Sequence, residues 1–463
     1  MIYNETLSLL KSAVSARYPE TAPKAFVRTF GCQANVADSE RLKGMLFEAG
    51  FEFCDYPEDA DLALFNTCAV REHAEDRVFG NVGAMKPVKE KNRGMIIALC
   101  GCMLQQEHIA DKIRQSYPFV DLVFGTFAIP RFPSLLYTVL MSGKRVFDTD
   151  LENPNPCEGL PIYRERRFKA WLPIMYGCDN FCSYCVVPYV RGRERSREKS
   201  AVIEEAKKLI HDGALDITLL GQNVNSYGKN LSEKIGFPEL IRELNALDGN
   251  FLIRFMTSHP KDCGEELFTA MRDSEKAAKH LHLPFQSGNN RVLNAMNRGY
   301  TREDYLRLIY AARQIMPDIS VTSDVIVGFP GESYEEFRDT LKLIEEAEFT
   351  SLFTFIYSKR RGTAAEKLPD PVPHTEKAGW MEELLRLQEG IAAKRTAGSI
   401  NKVYKVLAEE KAAKGGYLTG RTEGNVNILF GGGEELIGTF RNIRVKNAEN
   451  WILYGDIVTE NHT

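Results

Sequence analysis

The chain has 463 residues, a length that predicts two to four domains. Its formal net charge of -4 and hydrophobic fraction of 44% are typical of a globular protein. This net charge gives no overall attraction to nucleic acid, so a surface that binds RNA or DNA has to be a local patch. Residues 1–20 mix acidic and basic side chains, and no stretch reaches the length of a membrane span. We therefore expect no signal peptide, no membrane association, a cytoplasmic location and ten reduced cysteines.

The first part of the chain alternates strand-like and helix-like stretches, which predicts a parallel α/β sheet. A cysteine follows each of three predicted strands, and ligands of parallel sheets bind at such strand ends. We therefore expect three thiols on one sheet edge, although buried strand ends also carry cysteines without function. The predicted strands are 25–30, 61–65 and 95–99, the helices begin near Asp38, Glu72 and Gln105, and the cysteines are Cys32, Cys68 and Cys102.

The remaining cysteines outside the central part of the chain have a plainer interpretation. Cys100 still lies within an apolar strand, so we predict that it belongs to the core. Cys54, Cys157 and Cys263 stand alone in the sequence and are interpreted as ordinary free thiols.

Asn153 to Pro156 cannot continue a regular element, which predicts the end of the first domain. Alternation of strands and helices then resumes. Six such units predict a partial or full (β/α) barrel whose chemistry lies at the carboxyl ends of its strands. The predicted strands are 172–176, 216–220, 252–257, 280–283, 320–327 and 352–357.

Cys178, Cys182 and Cys185 lie within eight residues, directly after the first strand of this predicted barrel. A loop this short can direct three thiolates at one point, and thiolates bind soft metal centres. The alternative is a structural zinc site, which usually has four ligands, often in two separated Cys-x2-Cys pairs. This loop contains one close pair, a third cysteine and no histidine, so its pattern favours a different metal centre.

The last part of the chain changes to short strands, after a connector over 359–374 and a helix over 376–397. Five short strands predict a small antiparallel β-barrel of the OB-like type, which is a frequent nucleic-acid platform. Its basic side chains are interspersed with acids, so an ordinary solvated surface is an equally good interpretation. The predicted domains are 23–150, 165–395 and 398–461, and the predicted barrel strands are 403–408, 416–421, 426–430, 435–445 and 451–458.

The spacing Cys178-x3-Cys182-x2-Cys185 after a first barrel strand resembles the cluster loop of the radical SAM superfamily. There, three cysteines hold a four-iron cluster, and the open iron binds S-adenosylmethionine (SAM), which is cleaved to a 5'-deoxyadenosyl radical. The stretch 187–197 resembles the one that follows this loop in methylthiotransferases. The motifs 29–35, 66–72 and 101–106 resemble the three N-terminal cysteine motifs of that family, and the last barrel resembles its TRAM domain.

This resemblance implies a radical SAM methylthiotransferase that carries two 4Fe-4S clusters and binds SAM. The implied reaction begins with methylation of an auxiliary-cluster sulfur by SAM, after which the 5'-deoxyadenosyl radical abstracts a hydrogen from the substrate. It requires an electron donor such as flavodoxin or ferredoxin, and, because cluster sulfur is consumed, iron-sulfur cluster repair proteins. The implied ligands are Cys178, Cys182 and Cys185 for the SAM-cleaving cluster, and Cys32, Cys68 and Cys102 for the auxiliary cluster.

Polar residues past the second and fourth barrel strands match positions at which the superfamily contacts SAM, with capping or turn formation as the alternative. A dense run of arginines beside the cluster loop predicts contacts with tRNA phosphates, with salt bridges to neighbouring acids as the alternative. No residue stands out as a catalytic acid or base. The SAM candidates are Gln222, Asn223, Gln286 and Ser287, and the tRNA candidates are Arg191, Arg193, Arg195 and Arg197.

The stretches 187–197, 282–291 and 324–332 are similar to the branch of the family that acts on N6-isopentenyladenosine beside the tRNA anticodon. We therefore predict transfer of a methylthio group to carbon 2 of that base. Ala34 and the stretch 358–363 depart from the family's usual residues, and the latter lies where the substrate could be held. The alternatives are N6-threonylcarbamoyladenosine in tRNA, an aspartate of ribosomal protein S12, or the role of a non-catalytic metal-containing RNA-binding protein.

Overall fold

The computed structural model describes residues 2–69, 72–150, 157–413 and 415–458, which fold into two compact units. The first unit contains the chain up to Glu165 with Tyr176–Asp179 and Cys185–Glu194; the second contains Arg166–Met175, Asn180–Tyr184 and the chain from Arg195 onward. The predicted boundary at Asn153 to Pro156 lies outside the described residues, as do Val70 and Arg71 of the second cysteine motif. The division into three domains stays a prediction.

The first unit is a parallel sheet with helices on its faces. Its elements are α1 (Ile2–Arg17), β1 (Lys24–Thr29), α2 (Gln33–Glu48), β2 (Glu52–Phe53), β3 (Leu62–Thr67), α3 (Glu72–Lys91), β4 (Ile96–Gly101), α4 (Glu107–Ser116), β5 (Leu122–Phe124), α5 (Phe132–Ser142), β6 (Val146–Asp148) and α6 (Val187–Arg191). The strand order is β2-β1-β3-β4-β5-β6, and every neighbouring pair is parallel. The predicted parallel α/β sheet is confirmed.

Hydrophobic side chains cover both faces of this sheet. Leu64 and Leu122 belong to a core cluster on one face, whereas Phe65 and Leu99 belong to a second cluster on the other. Successive residues of a strand point to opposite faces. All positions of β3 and β4 are buried, as expected for parallel strands that are covered on both sides. Helix α1, which the sequence analysis did not predict, adds Leu10 to the first cluster.

The second unit begins with eight strands: six run parallel and alternate with helices, and two short ones form a separate two-stranded sheet. Its first elements are β7 (Lys169–Pro173), β8 (Met175–Tyr176), β9 (Arg195–Ser196), α7 (Lys199–His211), β10 (Asp216–Leu220), α8 (Phe237–Asn245), β11 (Leu252–Phe255), α9 (Glu265–Asp273), β12 (His280–His282), α10 (Asn290–Ala295), α11 (Arg302–Ile315), β13 (Ser320–Val327), α12 (Tyr334–Ala347), β14 (Ser351–Ile356) and α13 (His374–Ala397).

The six parallel strands form an open rather than a closed arrangement. Two three-stranded sheets, β11-β10-β7 and β12-β13-β14, are joined by a parallel bridge between Ile253 and Ala277. The predicted (β/α) architecture is therefore confirmed in its partial-barrel form. Across the described ranges, no helix combines the length and the apolar character needed to cross a membrane.

The chain ends in a closed five-stranded barrel. Its strands are β15 (Val403–Lys411), β16 (Tyr417–Arg421), β17 (Asn427–Gly431), β18 (Phe440–Glu449) and β19 (Ile452–Ile457). The order is β15-β16-β17-β19-β18, and side chains such as Val406, Ile428 and Ile443 fill its core. The predicted small barrel is confirmed, but it is not purely antiparallel, because β17 and β19 run parallel.

The C-terminal barrel is attached to the amino ends of the central strands. Arg254 on β11 donates hydrogen bonds to the carbonyls of Thr422 (3.1 Å) and Glu423 (3.3 Å) and pairs with Asp216 at 2.8 Å. Lys169, the first residue of β7, pairs with Glu409 of β15 at 2.5 Å. Since these contacts occupy the amino ends, the carboxyl ends of the strands are left for other functions.

Replacement of Arg254 by Met should lower the free energy of unfolding by about 3–5 kcal/mol, because it leaves the buried Asp216 carboxylate without its partner. Thermal unfolding followed by circular dichroism measures the effect as a fall in the transition temperature. The control is Arg242→Met, since Arg242 and Glu239 form an exposed pair at 3.1 Å that should contribute at most about 0.5 kcal/mol. Equal losses in both variants would contradict a structural role for the buried pair.

Candidate metal and cofactor site

The three N-terminal cysteines lie on one edge of the parallel sheet. Cys32, Cys68 and Cys102 come within three residues of the ends of β1, β3 and β4, which are neighbours in the sheet. The loops are tightly packed, since a Cβ on Gly31 would lie 2.7 Å from the Cys68 sulfur, and the φ of +106° at Gly31 favours glycine. The fold therefore gathers these thiols as the sequence predicted, while their role as metal ligands stays a prediction.

The three sulfurs influence one another's charge. Burial raises the pKa of the Cys102 thiol to about 12. The Arg191 guanidinium lowers that pKa, whereas the sulfurs of Cys32 and Cys68 raise it. A metal centre that binds these groups as thiolates has to displace the Cys102 proton, and the neighbouring cation favours that step.

Asn35, at the start of α2, connects the cysteine loops and is fully buried. Its Oδ1 lies 3.6 Å from the Cys32 sulfur and 3.8 Å from the Cys102 sulfur, within range of weak S–H donation. Its Nδ2 donates to the Thr67 carbonyl at 2.7 Å and to the Phe30 carbonyl at 3.1 Å. One amide side chain thus fixes the loops after β1 and β3 and contacts two of the three thiols.

Arg191 does not fit the predicted role of a tRNA contact. Its side chain is only 10% exposed and pairs with Asp38 at 2.7 Å. Its Nε donates to the Cys102 sulfur at 3.0 Å and its Nη2 donates to Asn35 Oδ1 at 3.1 Å. The guanidinium is therefore occupied inside the first unit, where it provides positive charge beside a predicted metal ligand.

The other three arginines of the run differ in how deeply they are buried. Arg197 is 4% exposed, donates to the Pro173 carbonyl at 2.6 Å and pairs with Glu205 at 2.7 Å, so it does not fit the predicted tRNA role either. Arg195 is half-buried in β9. Arg193 is 76% exposed and forms a bidentate contact with Asp179 at 2.7 and 3.2 Å. Arg193 is the member of this run that is best placed to reach a phosphate.

The loop with the second set of cysteines is held through its backbone. In the first unit, Cys178 N donates to the Gly192 carbonyl at 3.2 Å. In the second unit, Ser183 N donates to the Met296 carbonyl at 3.0 Å, and Asn297 Nδ2 donates to the Phe181 carbonyl at 3.0 Å. These contacts fix the main chain around the thiols without using their sulfurs.

A structural zinc ion usually takes four closed ligands in a tetrahedral arrangement, whereas the short loop of Cys178, Cys182 and Cys185 offers three cysteines and no histidine. Three thiolates from one loop suit a four-iron cluster.

Buried polar atoms without partners mark the carboxyl ends of the central strands. Gln222 Oε1 and Asn223 Oδ1, just past β10, are buried and have no hydrogen-bond partner among the described residues, although Asn223 Nδ2 donates to Asp262 at 2.7 Å. Leaving such an atom unsatisfied costs about 1–3 kcal/mol. These unpaired acceptors fit the donors of a bound polar ligand, which supports the predicted SAM contacts.

Unpaired polar atoms also follow two further strands, at residues that were not predicted as SAM contacts. Ser258 Oγ and His259 Nε2 lie past β11, and Tyr357 Oη and Ser358 Oγ lie past β14. All four atoms are buried, and the part of the chain that the structure describes offers them no partner. Burial lowers the pKa of His259 to about 2, so its imidazole is neutral. The sequence contained a signal for these residues, because they follow the ends of predicted strands, as Gln222 does.

The other two SAM candidates lie past β12 and differ from each other. Gln286 has a left-handed φ of 68°, and its backbone bridges to β13 through Asp324 and Ile326, which places it beside that strand, past the carboxyl end of β12. Ser287 is fully buried, and its Oγ accepts a hydrogen bond from Asn289 N at 3.3 Å. Ser287 therefore fits the alternative of turn formation, whereas Gln286 stays a SAM candidate.

Three family models match the chain. They are described as the Radical SAM superfamily (residues 172–344), Uncharacterized protein family UPF0004 (residues 24–125) and the TRAM domain (residues 399–458). Each covers one part of the chain, in the order that the sequence analysis predicted.

Curated relatives match over nearly the whole chain. A tRNA-2-methylthio-N(6)-dimethylallyladenosine synthase of Thermoanaerobacter sp. (strain X514) is 47% identical over 93% of this chain and 92% of its own length. The protein of the same name from Caldicellulosiruptor saccharolyticus is 47% identical over 93% of this chain and 91% of its own. Among solved structures, the radical S-adenosylmethionine methyltransferase TsrM from Kitasatospora setae shares the fold, with a TM-score of 0.55, 14% identity, and coverage of 75% of this chain and 74% of that one.

Arg193→Gln should reduce the salt dependence of RNA binding, because a lost phosphate contact lowers the slope of log affinity against log salt by about 0.9. Arg191→Gln should leave this slope unchanged, because its guanidinium is occupied by Asp38 and Cys102. Fluorescence anisotropy with an anticodon stem-loop RNA over a series of salt concentrations measures both slopes. A lower slope with Arg191→Gln but not with Arg193→Gln would show that Arg191, and not Arg193, contacts a phosphate.

Proposed function

The chain belongs to the family of tRNA-2-methylthio-N(6)-dimethylallyladenosine synthases, and on this basis we propose that it adds a methylthio group to carbon 2 of N6-isopentenyladenosine beside the tRNA anticodon. One observation carries the proposal: two sets of three cysteines follow the carboxyl ends of parallel strands, in regions that match the family models. The enzyme is thus a radical SAM methylthiotransferase with SAM and 4Fe-4S clusters as cofactors.

The residues fit these cofactors. Thiolates on short loops after strands suit iron-sulfur clusters, and the unpaired polar atoms at neighbouring strand ends suit SAM. When bound, the cofactors supply a carbon-centred radical and a sulfur donor. Cys178, Cys182 and Cys185 would hold the SAM-cleaving cluster, Cys32, Cys68 and Cys102 the auxiliary cluster, and Gln222, Asn223, His259 and Gln286 would hold SAM.

The chemistry explains why the chain offers no obvious acid or base. Carbon 2 of adenine carries an unactivated hydrogen that no side-chain base removes at neutral pH. The protein therefore contributes by position: its loops hold the thiols, its polar strand ends orient SAM, and its interior excludes water. The base has to leave its stack to reach the barrel, which costs less in an anticodon loop than in a duplex.

An exposed apolar face inside the partial barrel supports the isopentenyl substrate. Phe353 and Phe355 of β14 are 47% and 44% exposed, while Leu352 on the opposite face packs against the core. Phe353 lies opposite Asp324 in register, and its ring centroid is 5.7 Å from that of His282. Aromatic rings suit an apolar isopentenyl group. The Asp324 carboxylate would repel the carboxylate of a threonylcarbamoyl group, so this face disfavours the alternative tRNA substrate.

We further propose the partners and location that this reaction requires. The substrate is tRNA that already carries the isopentenyl group, because the exposed phenylalanines suit that apolar group. A low-potential donor such as flavodoxin or ferredoxin would supply electrons, and iron-sulfur cluster repair proteins would restore the consumed sulfur. A cytoplasmic location follows from the tRNA substrate.

Mass spectrometry of tRNA nucleosides from a strain that lacks the gene tests the proposed function. Methylthio-isopentenyladenosine should disappear, and isopentenyladenosine should accumulate. In vitro, Cys182→Ala should abolish formation of 5'-deoxyadenosine from SAM and reductant, because the cluster loses a ligand. Persistence of the product in the deletion strain, with loss of a different methylthio compound, would assign the enzyme to one of the alternative substrates.

Phe353→Ala should lower kcat/KM for isopentenylated RNA by about 10-fold or more, since loss of an apolar contact with a substrate costs about 1–3 kcal/mol. The matched control is Tyr310→Ala, which removes a side chain of similar exposure (51%) from α11. Product formation under multiple-turnover conditions with added sulfide measures the effect. Equal activity of the two variants would contradict a role of this face in substrate recognition.

A further inference from the structure

Arg298 is a buried arginine in the second unit that the proposed chemistry has not yet used. It is 5% exposed and lies in the loop after α10. Its Nη1 donates to the Cys182 sulfur at 3.3 Å, its Nη2 donates to the Pro284 carbonyl at 2.8 Å, and its Nε donates to the Tyr300 hydroxyl at 3.0 Å. With a fourth contact, from Nη1 to the Tyr184 hydroxyl at 3.4 Å, these hydrogen bonds fix the guanidinium beside a predicted cluster ligand.

The same loop also holds the cysteine loop through main-chain contacts. Ser183 N donates to the carbonyl of Met296, and the side chain of Asn297 donates to the carbonyl of Phe181. Ser183 Oγ donates to the carbonyl of Ala295 at 2.8 Å. The position of Cys182 relative to Arg298 is thus set by contacts that do not depend on the sulfur.

Arg298 differs from other buried arginines in its lack of an acidic partner. Arg197 pairs with Glu205 at 2.7 Å, and Arg254 pairs with Asp216 at 2.8 Å. No carboxylate pairs with Arg298 among the residues that the structure describes. Because a guanidinium stays charged at all physiological pH values, its burial without a counter-charge is strongly unfavourable. A negative group that binds at Cys182 would provide the missing charge.

We propose that Arg298 is the buried counter-charge of the metal cluster that Cys182 helps to hold, and that it raises the reduction potential of this cluster. The inference rests on the proposed function, from which the presence of the cluster follows. Cysteines bind iron as thiolates, each with one negative charge. The potential of an iron-sulfur cluster depends on its net charge and on hydrogen bonds to its sulfurs, and Arg298 contributes to both.

The redox step concerned is the transfer of one electron from an external reductant to the oxidised cluster. The reductant is oxidised, the cluster gains one negative charge, and no covalent bond forms or breaks. A fixed cation beside a ligand sulfur stabilises the reduced cluster more than the oxidised one. A neutral residue at this position should therefore make the cluster harder to reduce.

Redox titration of the reconstituted enzyme tests the proposal in the absence of SAM and tRNA. Cys32, Cys68 and Cys102 are replaced by Ala in every sample, so that the observed signal comes from the cluster at Cys182. We compare Arg298→Gln, Arg298→Lys and Arg291→Gln, since Arg291 lies on α10 and pairs with Glu336 near the surface. Reduction is followed by electron paramagnetic resonance at set potentials, and iron content is measured for each variant.

In Arg298→Gln, the ratio of reduced to oxidised cluster at a fixed potential should fall about tenfold, which corresponds to about 59 mV for one electron. Arg298→Lys should retain most of the parental potential, and Arg291→Gln should match it. Loss of iron from Arg298→Gln but not from Arg298→Lys would also support a counter-charge.

An unchanged potential in Arg298→Gln, with weaker binding of SAM in a separate titration, would overturn the proposal and assign Arg298 to the SAM carboxylate. Loss of iron from both Arg298 variants would also overturn it, because the guanidinium would then be needed for its shape. The measurement uses no tRNA, so failure here is distinct from failure of the proposed substrate, which nucleoside analysis tests.

Discussion

Parallel strands all end at the same edge of a sheet, and this constraint determines where the chemistry of the molecule lies. In the first unit it brings Cys32, Cys68 and Cys102 to adjacent loops, although they span 71 positions of the sequence. In the second unit it gathers the unpaired polar atoms past β10, β11 and β14. Both units therefore build a reactive edge from residues that only the sheet brings together.

Each unit also places a buried guanidinium group beside a cysteine sulfur. Arg191 contacts Cys102 in the first unit, and Arg298 contacts Cys182 in the second. Their surroundings differ, since Arg191 also pairs with Asp38. The charge of Arg191 is thus partly compensated by a carboxylate, whereas no carboxylate pairs with Arg298 among the described residues. This difference suits two clusters with different tasks, one a sulfur donor and the other an electron acceptor.

The C-terminal barrel contacts the central strands away from the unpaired polar atoms that follow their carboxyl ends. Arg254, Lys169 and their partners occupy the amino ends of the central strands. The exposed Phe353 and Phe355 lie on the face of β14 opposite Leu352, and this is the face that we propose for the apolar substituent of a flipped base. Attachment at one end and chemistry at the other therefore follow from the direction of the strands.

The sequence by itself determined the architecture and the family. Strand and helix periodicity, the spacing of the Cys178 loop and cysteines after strands predicted the parallel sheet, the partial barrel and both thiol sets, because these signals are local. Only the tertiary structure decided which side chains face water. It placed Arg191 and Arg197 in buried contacts, left Arg193 exposed, assigned Ser287 to a turn, and revealed Asn35, His259 and Arg298. Burial and charge pairing depend on neighbours that are distant in sequence, so no local pattern in the arginine run could have separated its members.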